Sequence, residues 1–177
     1  SRNALLKAAR HPSTRVRLAA VHALGEEVDD AMAQVLLENI SSGLMELQQL
    51  AFRLLESMPR CNQGPVLLSI VRGDAAAEWN PRDRKRAMEL MVRWGGSGVD
   101  AYMVQGLCVG NLFRRRAIEE RREELLGIVR AVGGTRGLEI CRKAVDASPP
   151  KVTRARLLEL KDQLTRQVAA DKKRPTP

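Results

Sequence analysis

Apolar residues recur along most of the chain at intervals of three and four positions, the spacing that places them on one face of an α-helix. One such stripe follows Asn80 and Pro81, a helix-capping residue type and a proline at the favoured first helical position. No segment alternates apolar and polar residues with the period of two that a half-buried strand requires. The chain is therefore expected to be all-α, with no sheet. The stripe after Pro81 consists of Ala87, Leu90, Met91 and Trp94.

The predicted helices group into pairs joined by short turns. A similar segment closes four of the pairs and recurs at intervals of 34, 36 and 38 residues. A period of this length, with two helices in each unit, is typical of stacked helical repeats, because one helix pair cannot bury its own apolar face. The repeated segments begin at Ala23, Ser57, Arg93 and Ala131. The predicted pairs are 2–10 with 13–24, 28–40 with 43–57, 64–72 with 81–94, 98–109 with 112–131, and 136–146 with 150–169.

The apolar stripes continue through every unit without a long flexible linker, which predicts one repeat domain over residues 1–170. Residues 171–177 contain two prolines and several cations, which predicts a flexible basic tail. No stretch approaches the roughly 20 apolar residues that span a bilayer, so no membrane insertion is expected. The three widely spaced cysteines match neither a disulfide framework nor a zinc cluster, which favours a reducing compartment and a cytoplasmic location.

Residues for catalysis or cofactor binding are scarce. Aromatic residues make up 3% of the chain, too few for a base-stacking platform or an aromatic cage. The only histidines are His11 and His22, and neither has a sequence neighbour that suggests a metal site or a nucleophile–base pair. Gly95 to Gly98 follow a predicted helix rather than a strand, so they are interpreted as a cap and turn. We predict no enzyme activity, no metal and no cofactor.

The net charge of +9 comes from 30 basic and 21 acidic residues, and 23 of the basic residues are arginines. Such a balance favours anionic partners. The alternative is that genomic base composition favours arginine and that these side chains only decorate solvated faces.

The segment from Pro12 to Gly25 resembles the second helix of a HEAT repeat, which commonly opens with Pro and a Val-Arg pair and closes with Leu-Gly. Weaker copies run from Pro81 to Gly95 and from Asn111 to Gly133. The resemblance implies a right-handed α-solenoid of about five antiparallel helix pairs, whose second helices line a concave face. HEAT-like arrays are known mainly as interaction scaffolds, so the resemblance also implies a non-catalytic binding protein.

Basic residues recur near the starts of the predicted second helices, where free N–H groups and the helix dipole favour anions. HEAT arrays usually pair the repeated arginine with an aspartate just before the proline, but the equivalent residues here are not acidic. Some of these arginines are therefore expected to be free for an external anion, with Asp83, Asp74 or main-chain carbonyls as alternative partners. The predicted basic ridge consists of Arg15, Arg17, Arg82, Arg84, Lys85, Arg86, Arg114, Arg115, Arg116, Arg154 and Arg156.

The fourth second helix is predicted to be longer than the three before it, and six consecutive charged residues interrupt its apolar stripe. Such a block is commonly a solvated surface of paired charges. The alternative is a projecting element that docks a partner. The charged block consists of Glu119, Glu120, Arg121, Arg122, Glu123 and Glu124.

The sequence therefore predicts a helical-repeat scaffold that binds another protein, with an acidic surface as its target. The alternative function is sequence-independent binding of DNA or RNA phosphates. The basic ridge would carry either interaction, because few aromatic or amide side chains are placed to read base edges.

Overall fold

A computed structural model describes residues 1–25, 28–110 and 115–173, with all side chains except those of Ala75, Arg115 and Lys173. Every regular element in these ranges is an α-helix, and no β-strand occurs in them. The all-α prediction is thus confirmed. The chain divides into two compact units, Ser1–Gly96 (unit 1) and Ser97–Pro177 (unit 2). One continuous repeat domain over residues 1–170 stays a prediction.

Unit 1 is built from helix pairs with one short connecting helix. Its helices are α1 (Arg2–Ala8), α2 (Thr14–Leu24), α3 (Asp30–Asn39), α4 (Met45–Glu56), α5 (Gly64–Arg72), α6 (Asp74–Ala77) and α7 (Pro81–Trp94). α1 packs on α2, α3 on α4, and α5 on α7. Successive pairs are joined by contacts of α1 with α3 and of α4 with both α2 and α7. The second helices of the pairs therefore lie side by side.

Local signals explain where α7 begins and ends. Oδ1 of Asn80 accepts a hydrogen bond from the main-chain N–H of Asp83 at 2.9 Å, and Pro81 occupies the first helical position. The helix stops before Gly95, whose φ of 69° lies in the left-handed region that favours glycine. The predicted span of 81–94 is confirmed.

The close approach of two chain segments requires a glycine at position 64. A Cβ atom on Gly64, the first residue of α5, would lie 1.8 Å from the carbonyl oxygen of Gly95. Main-chain atoms cannot move aside as the end of a flexible side chain can, so this contact excludes a Cβ atom at position 64. The core around these helices is aliphatic, and Phe52 is the one fully buried ring among the described residues. Its largest buried side chains include Met32, Leu36, Leu47, Phe52, Leu55, Leu67, Met88, Leu90 and Met91.

Unit 2 contains α8 (Val99–Cys108), α9 (Arg115–Val132), α10 (Gly134–Asp146) and α11 (Lys151–Lys173). α8 packs on α9 and α10, and α11 packs on α9 and most extensively on α10. Small residues again permit close packing, because a Cβ atom on Gly137 of α10 would lie 2.8 Å from the carbonyl oxygen of Val129.

The last helix, α11, is longer than its apolar pattern predicts. It continues to Lys173, four residues past the predicted end, so residues 171–173 of the expected flexible tail are helical. Ala169 and Ala170 favour this extension, because alanine has the highest helix propensity. Residues 174–177 of that tail lie outside the described residues. No described helix, α11 included, is both long and apolar enough to cross a membrane.

Candidate binding groove of unit 1

Side chains of α4 and α7 form a hydrogen-bonded network centred on Arg86. Arg86 donates from Nε and Nη2 to the two carboxylate oxygens of Glu56, at 2.7 and 2.9 Å. Its Nη1 donates to Oε1 of Gln49 at 2.6 Å. Glu56 and Gln49 lie on α4 and Arg86 on α7, so one guanidinium group links two helices. Bidentate pairs of this kind are strong and geometrically specific, which fixes the position of Arg86.

Asp83 is the buried member of this network, with 1% of its surface exposed. Its two carboxylate oxygens accept hydrogen bonds from Nε2 of Gln49 at 3.0 and 2.9 Å, and Oδ2 also accepts from Nδ2 of Asn80 at 2.7 Å. Nη1 of Arg86 lies 3.4 Å from Oδ1 and supplies the opposite charge. A buried carboxylate is costly unless it is paired and hydrogen-bonded, and Asp83 meets both conditions. We call Gln49, Glu56, Asp83 and Arg86 the Arg86 network.

The guanidinium of Arg86 also packs on an aromatic ring. Its Cζ lies 4.8 Å from the ring centroid of Phe52, a distance at which a cation is attracted to the ring face. Phe52 is fully buried and meets Trp79 edge-on, with 5.8 Å between centroids. The hydrogen bonds to Glu56 raise the pKa of Arg86 above its ordinary value, against the opposing effect of partial burial. Arg86 is therefore a charged and immobilised group.

An open groove with a volume of about 460 Å³ is lined by α2, α4 and α7. Three members of the Arg86 network, Gln49, Glu56 and Arg86, line it together with the buried Leu50. We call it the unit 1 groove. Its exposed lining side chains are His22, Glu46, Arg53 and Arg82.

The unit 1 groove offers unpaired charge. Arg53, in the last turn of α4, and Arg82, in the first turn of α7, form no ion pair with any described residue. Glu46 is likewise unpaired within the described part of the chain. Because Arg86 and Glu56 are engaged with each other, the charge available to a ligand comes from two guanidinium groups and one carboxylate. A free guanidinium group can donate two parallel hydrogen bonds to a carboxylate.

No protein-family model, curated protein or solved structure matches this chain. The ligand of the unit 1 groove is therefore inferred from its own side chains. The resemblance to HEAT repeats stays a prediction.

Six members of the predicted basic ridge belong to unit 1, and they differ in their surroundings. Of these six, Arg82 and Arg86 line the unit 1 groove. Arg17 and Arg84 are half-buried, and the buried Nε of each has no hydrogen-bond partner among the described residues. The other two are exposed and do not line the groove: Arg15 and Lys85.

Five ridge members belong to unit 2. Arg116 is 94% exposed and pairs with Glu120 at 2.9 Å within α9. Arg156 of α11 donates to Glu123 of α9 at 2.6 Å. Arg154 is exposed and forms no ion pair with a described residue. Two members lie outside what the structure describes: Arg114 and the side chain of Arg115.

The expectation that a ridge arginine is free for an external anion does not hold for Arg86. Its bidentate partner, Glu56, comes from the end of the preceding second helix, 30 residues earlier, and not from the position before the proline. Asp83, one of the expected alternative partners, also pairs with Arg86, at 3.4 Å. A signal for this pairing exists in α4, where Gln49 and Glu56 are seven residues apart and so share one helix face. Sequence reasoning missed it because neither residue belongs to the repeat pattern.

The charged block lies on α9, and one of its members points inward. Arg122 is only 5% exposed. Its Nη1 donates to Glu119 at 2.7 Å, and its Nη2 donates to the carbonyl oxygen of Val109 just after α8. The burial of Arg122 is not compatible with a freely projecting element. The charged block is better described as a surface of paired charges. Its docking role stays a prediction. The other members pair as follows: Arg121 with Glu124, Glu120 with Arg116, and Glu123 with Arg156.

Unit 2 contains a second ionic network, which joins α8 to α10. Arg136 and Lys143 of α10 both contact the carboxylate of Asp100 on α8. They also pair with Glu139, at 2.9 and 2.7 Å. Burial raises the pKa of Asp100, but hydrogen bonds from Arg136 and Lys143 outweigh it and hold this pKa below its ordinary value. The network binds helices together and, unlike the unit 1 groove, leaves none of these charges unpaired.

The histidines and Cys141 lie in different parts of the structure. Nδ1 of His11 accepts a hydrogen bond from the main-chain N–H of Ser13 at 3.1 Å, just before α2. His22 lines the unit 1 groove. Burial raises the pKa of the Cys141 thiol to about 11. No cluster of side chains that could hold a metal ion occurs within the described residues.

Proposed function

We propose that the protein is a non-catalytic helical-repeat scaffold and that its unit 1 groove binds an acidic segment of another protein. The observation that carries this proposal is the pair of exposed guanidinium groups of Arg53 and Arg82 in one groove, neither of which forms an ion pair with a described residue. Each can bind a carboxylate through two hydrogen bonds, and a hydrogen bond to a charged group contributes about 1.5–3 kcal/mol.

The Arg86 network supports this function by preparing the groove in advance. Gln49, Glu56 and Arg86 already hold one another, so these lining side chains need no ordering when a partner binds. Ordering a flexible side chain on binding costs about 0.5–1.5 kcal/mol, and a fixed wall avoids that cost. The flexible part of the site is then confined to its exposed side chains.

The lining favours a protein over a nucleic acid. Glu46 places an available carboxylate beside the arginines, and it repels a phosphate backbone. A protein segment carries carboxylates for Arg53 and Arg82 and also N–H donors for Glu46. Leu50 adds a small apolar surface to the same groove. An acidic segment with interspersed apolar residues fits this mixture best.

We also propose a HEAT-like solenoid arrangement for the helix pairs within each unit. In unit 1, first helix contacts first helix through α1 and α3, and second helix contacts second helix through α2, α4 and α7. In unit 2, α8 contacts α10 and α9 contacts α11 in the same manner. This alternation is typical of stacked helix pairs, which present extended surfaces suited to binding.

The proposal is tested with a fluorescently labelled peptide of glutamate and leucine with blocked ends, called here the acidic peptide. Its binding to the full chain is followed by fluorescence anisotropy. The double variant Arg53→Glu, Arg82→Glu is expected to bind the acidic peptide at least about tenfold more weakly. It loses two bidentate contacts and gains two charge repulsions.

The matched control is Arg60→Glu with Arg72→Glu, which makes the same charge change at exposed positions of unit 1 outside the groove lining. This control is expected to leave the affinity within about twofold of wild type. An equal loss in both double variants would show that net charge, and not the groove, attracts the peptide, and it would refute the proposal.

A further inference from the structure

The positive charge of the chain is unevenly distributed. Residues 1–96 contain 13 basic and 11 acidic residues, whereas residues 97–177 contain 17 basic and 10 acidic residues. From residue 151 onward there are 8 basic residues and 3 acidic ones. Most of the excess charge therefore lies in α11 and the residues after it.

The contacts of α11 define which of its flanks is free. One face is buried in unit 2 and consists of Thr153, Leu157, Leu160 and Leu164. The flank that carries Arg156 faces α9, because Arg156 donates to Glu123 there. The opposite flank turns away from α9, and most of its side chains are exposed, although two of them, Lys161 and Val168, are half-buried.

Residues on this opposite flank follow one another at intervals of three and four, so they form one row along the helix. The row extends over 22 residues, or about 30 Å at the rise of an α-helix. Four of its positions are basic and none is acidic. None of these four cations forms an ion pair with a described residue. We call it the α11 basic row: Lys151, Arg154, Leu158, Lys161, Thr165, Val168 and Lys172.

The row also differs from the rest of the chain in its use of lysine. The chain has 7 lysines, of which 4 lie in α11 and 3 in the row itself. Arginines such as Arg86 and Arg136 are bound in internal networks, where their planar geometry matters. A lysine is a strongly hydrated point charge on a flexible stem, which suits contact with phosphates that have no fixed register.

We propose that the α11 basic row binds the phosphodiester backbone of a nucleic acid duplex without regard to base sequence. A row that carries four cations and no carboxylate attracts a repeating polyanion, and each neutralised phosphate releases counterions. The row contains no aromatic or amide side chain to read bases.

Other anionic partners fit the row less well. A membrane-bound helix needs a continuous exposed apolar face, but the apolar face of α11 is buried, and the large apolar side chains exposed on its described part are those of Val152 and Leu158. A stable protein interface needs aromatic or similar anchors at its centre, and the row provides none. The row therefore differs from the unit 1 groove, where carboxylates and an apolar residue lie beside the arginines.

The test measures binding of the full chain to labelled DNA and RNA duplexes of scrambled sequence, at salt concentrations between about 50 and 200 mM. For four phosphate contacts, the slope of log K against log salt is expected to be about −3 to −4. The variant Lys151→Gln, Arg154→Gln, Lys161→Gln, Lys172→Gln should lose most of this slope and most of the affinity at low salt. The control variant Lys7→Gln, Arg60→Gln, Arg72→Gln, Arg142→Gln removes four other exposed cations and should retain both.

Single changes keep the test decisive if the fourfold variant does not fold. Lys151→Gln and Lys172→Gln alter exposed side chains, and each should reduce the slope by about one. The relative affinity for the DNA and RNA duplexes identifies which nucleic acid fits the row better. Equal losses of affinity and salt slope in the row and control variants would overturn the proposal. Displacement of the duplex by the acidic peptide would also overturn it, as would binding to phosphatidylserine vesicles that depends on the row.

Discussion

Glu56 at the end of α4 and Arg86 on α7 share two hydrogen bonds, of 2.7 and 2.9 Å, although they are 30 residues apart in sequence. The pair links helices of successive pairs and fixes part of the wall of the unit 1 groove. Arg86 is thereby engaged, whereas Arg53 and Arg82 in the same groove have no ion-pair partner in the described part of the chain. The binding function proposed above depends on this division between fixed and available charge.

The first prediction concerns the buried carboxylate of Asp83. Asp83→Ala leaves the side-chain donors of Gln49 and Asn80 without their acceptor and should destabilise the protein by about 3 kcal/mol. Urea unfolding followed by circular dichroism measures the change. Asp74→Ala, which removes an exposed carboxylate from α6, is the control and should change the unfolding free energy by no more than about 0.5 kcal/mol. Similar small effects of both changes would contradict the role assigned to Asp83.

The second prediction compares two glycines in helices. Gly64→Ala places a methyl group 1.8 Å from the carbonyl oxygen of Gly95, so the packing of α5 against the end of α7 must change. We expect a loss of about 3 kcal/mol or more in the free energy of unfolding. Gly127→Ala in α9 meets nothing within 4 Å and should instead stabilise the protein by up to about 1 kcal/mol. A tolerated Gly64→Ala would disprove the close approach.

The third prediction is an acid sensitivity that depends on Asp100. Because its folded-state pKa is depressed, its ion pairs stabilise the folded protein above the unfolded-state pKa of about 4. This stabilisation is lost as the pH falls through the lower, folded-state pKa. Asp100→Asn should therefore destabilise the protein at pH 7 and flatten the decline in unfolding free energy below about pH 4. Unfolding curves that keep the same pH dependence in both proteins would exclude this role.

The fourth prediction concerns the reactivity of Cys141. Burial raises the pKa of its thiol to about 11, so the reactive thiolate is rare at pH 8, and the fully buried sulfur is also shielded. Ellman's reagent should modify Cys141 only after the protein unfolds, whereas denatured protein should react at all three cysteines. Mass spectrometry of the labelled peptides identifies the site. Rapid labelling of Cys141 in the native protein would show that α10 is open at this point.

The helices were largely predictable from sequence because their signals are local. Asn80 and Pro81 start α7, Gly95 ends it, and the apolar positions between them define its buried face. The helical continuation of α11 to Lys173 was missed because the lysines and prolines at the end of the chain resemble a tail. The short α6 lies between the predicted helices 64–72 and 81–94 and was not among the predicted elements.

The candidate site was only partly predictable, because its geometry depends on side chains that are distant in sequence. Arg82 and Arg86 were expected on the binding surface, but Arg53 was not, since it lies at the end of a second helix and outside the repeated position. The pairing of Arg86 with Glu56 arises from the packing of α4 against α7. Arg122 was expected in an exposed block and is buried, because its long stem and charged end reach the carbonyl oxygen of Val109.

Binding in the unit 1 groove is tested most directly by an NMR titration of isotope-labelled protein with the acidic peptide. The side-chain Nε–H signals of Arg53 and Arg82 are expected to shift, and main-chain shifts are expected to concentrate in α2, α4 and α7. The Nε–H signal of Arg86 should change little, because Glu56 already holds this group. Shifts concentrated on α11, or spread evenly over exposed arginines of both units, would contradict the unit 1 groove as the binding site.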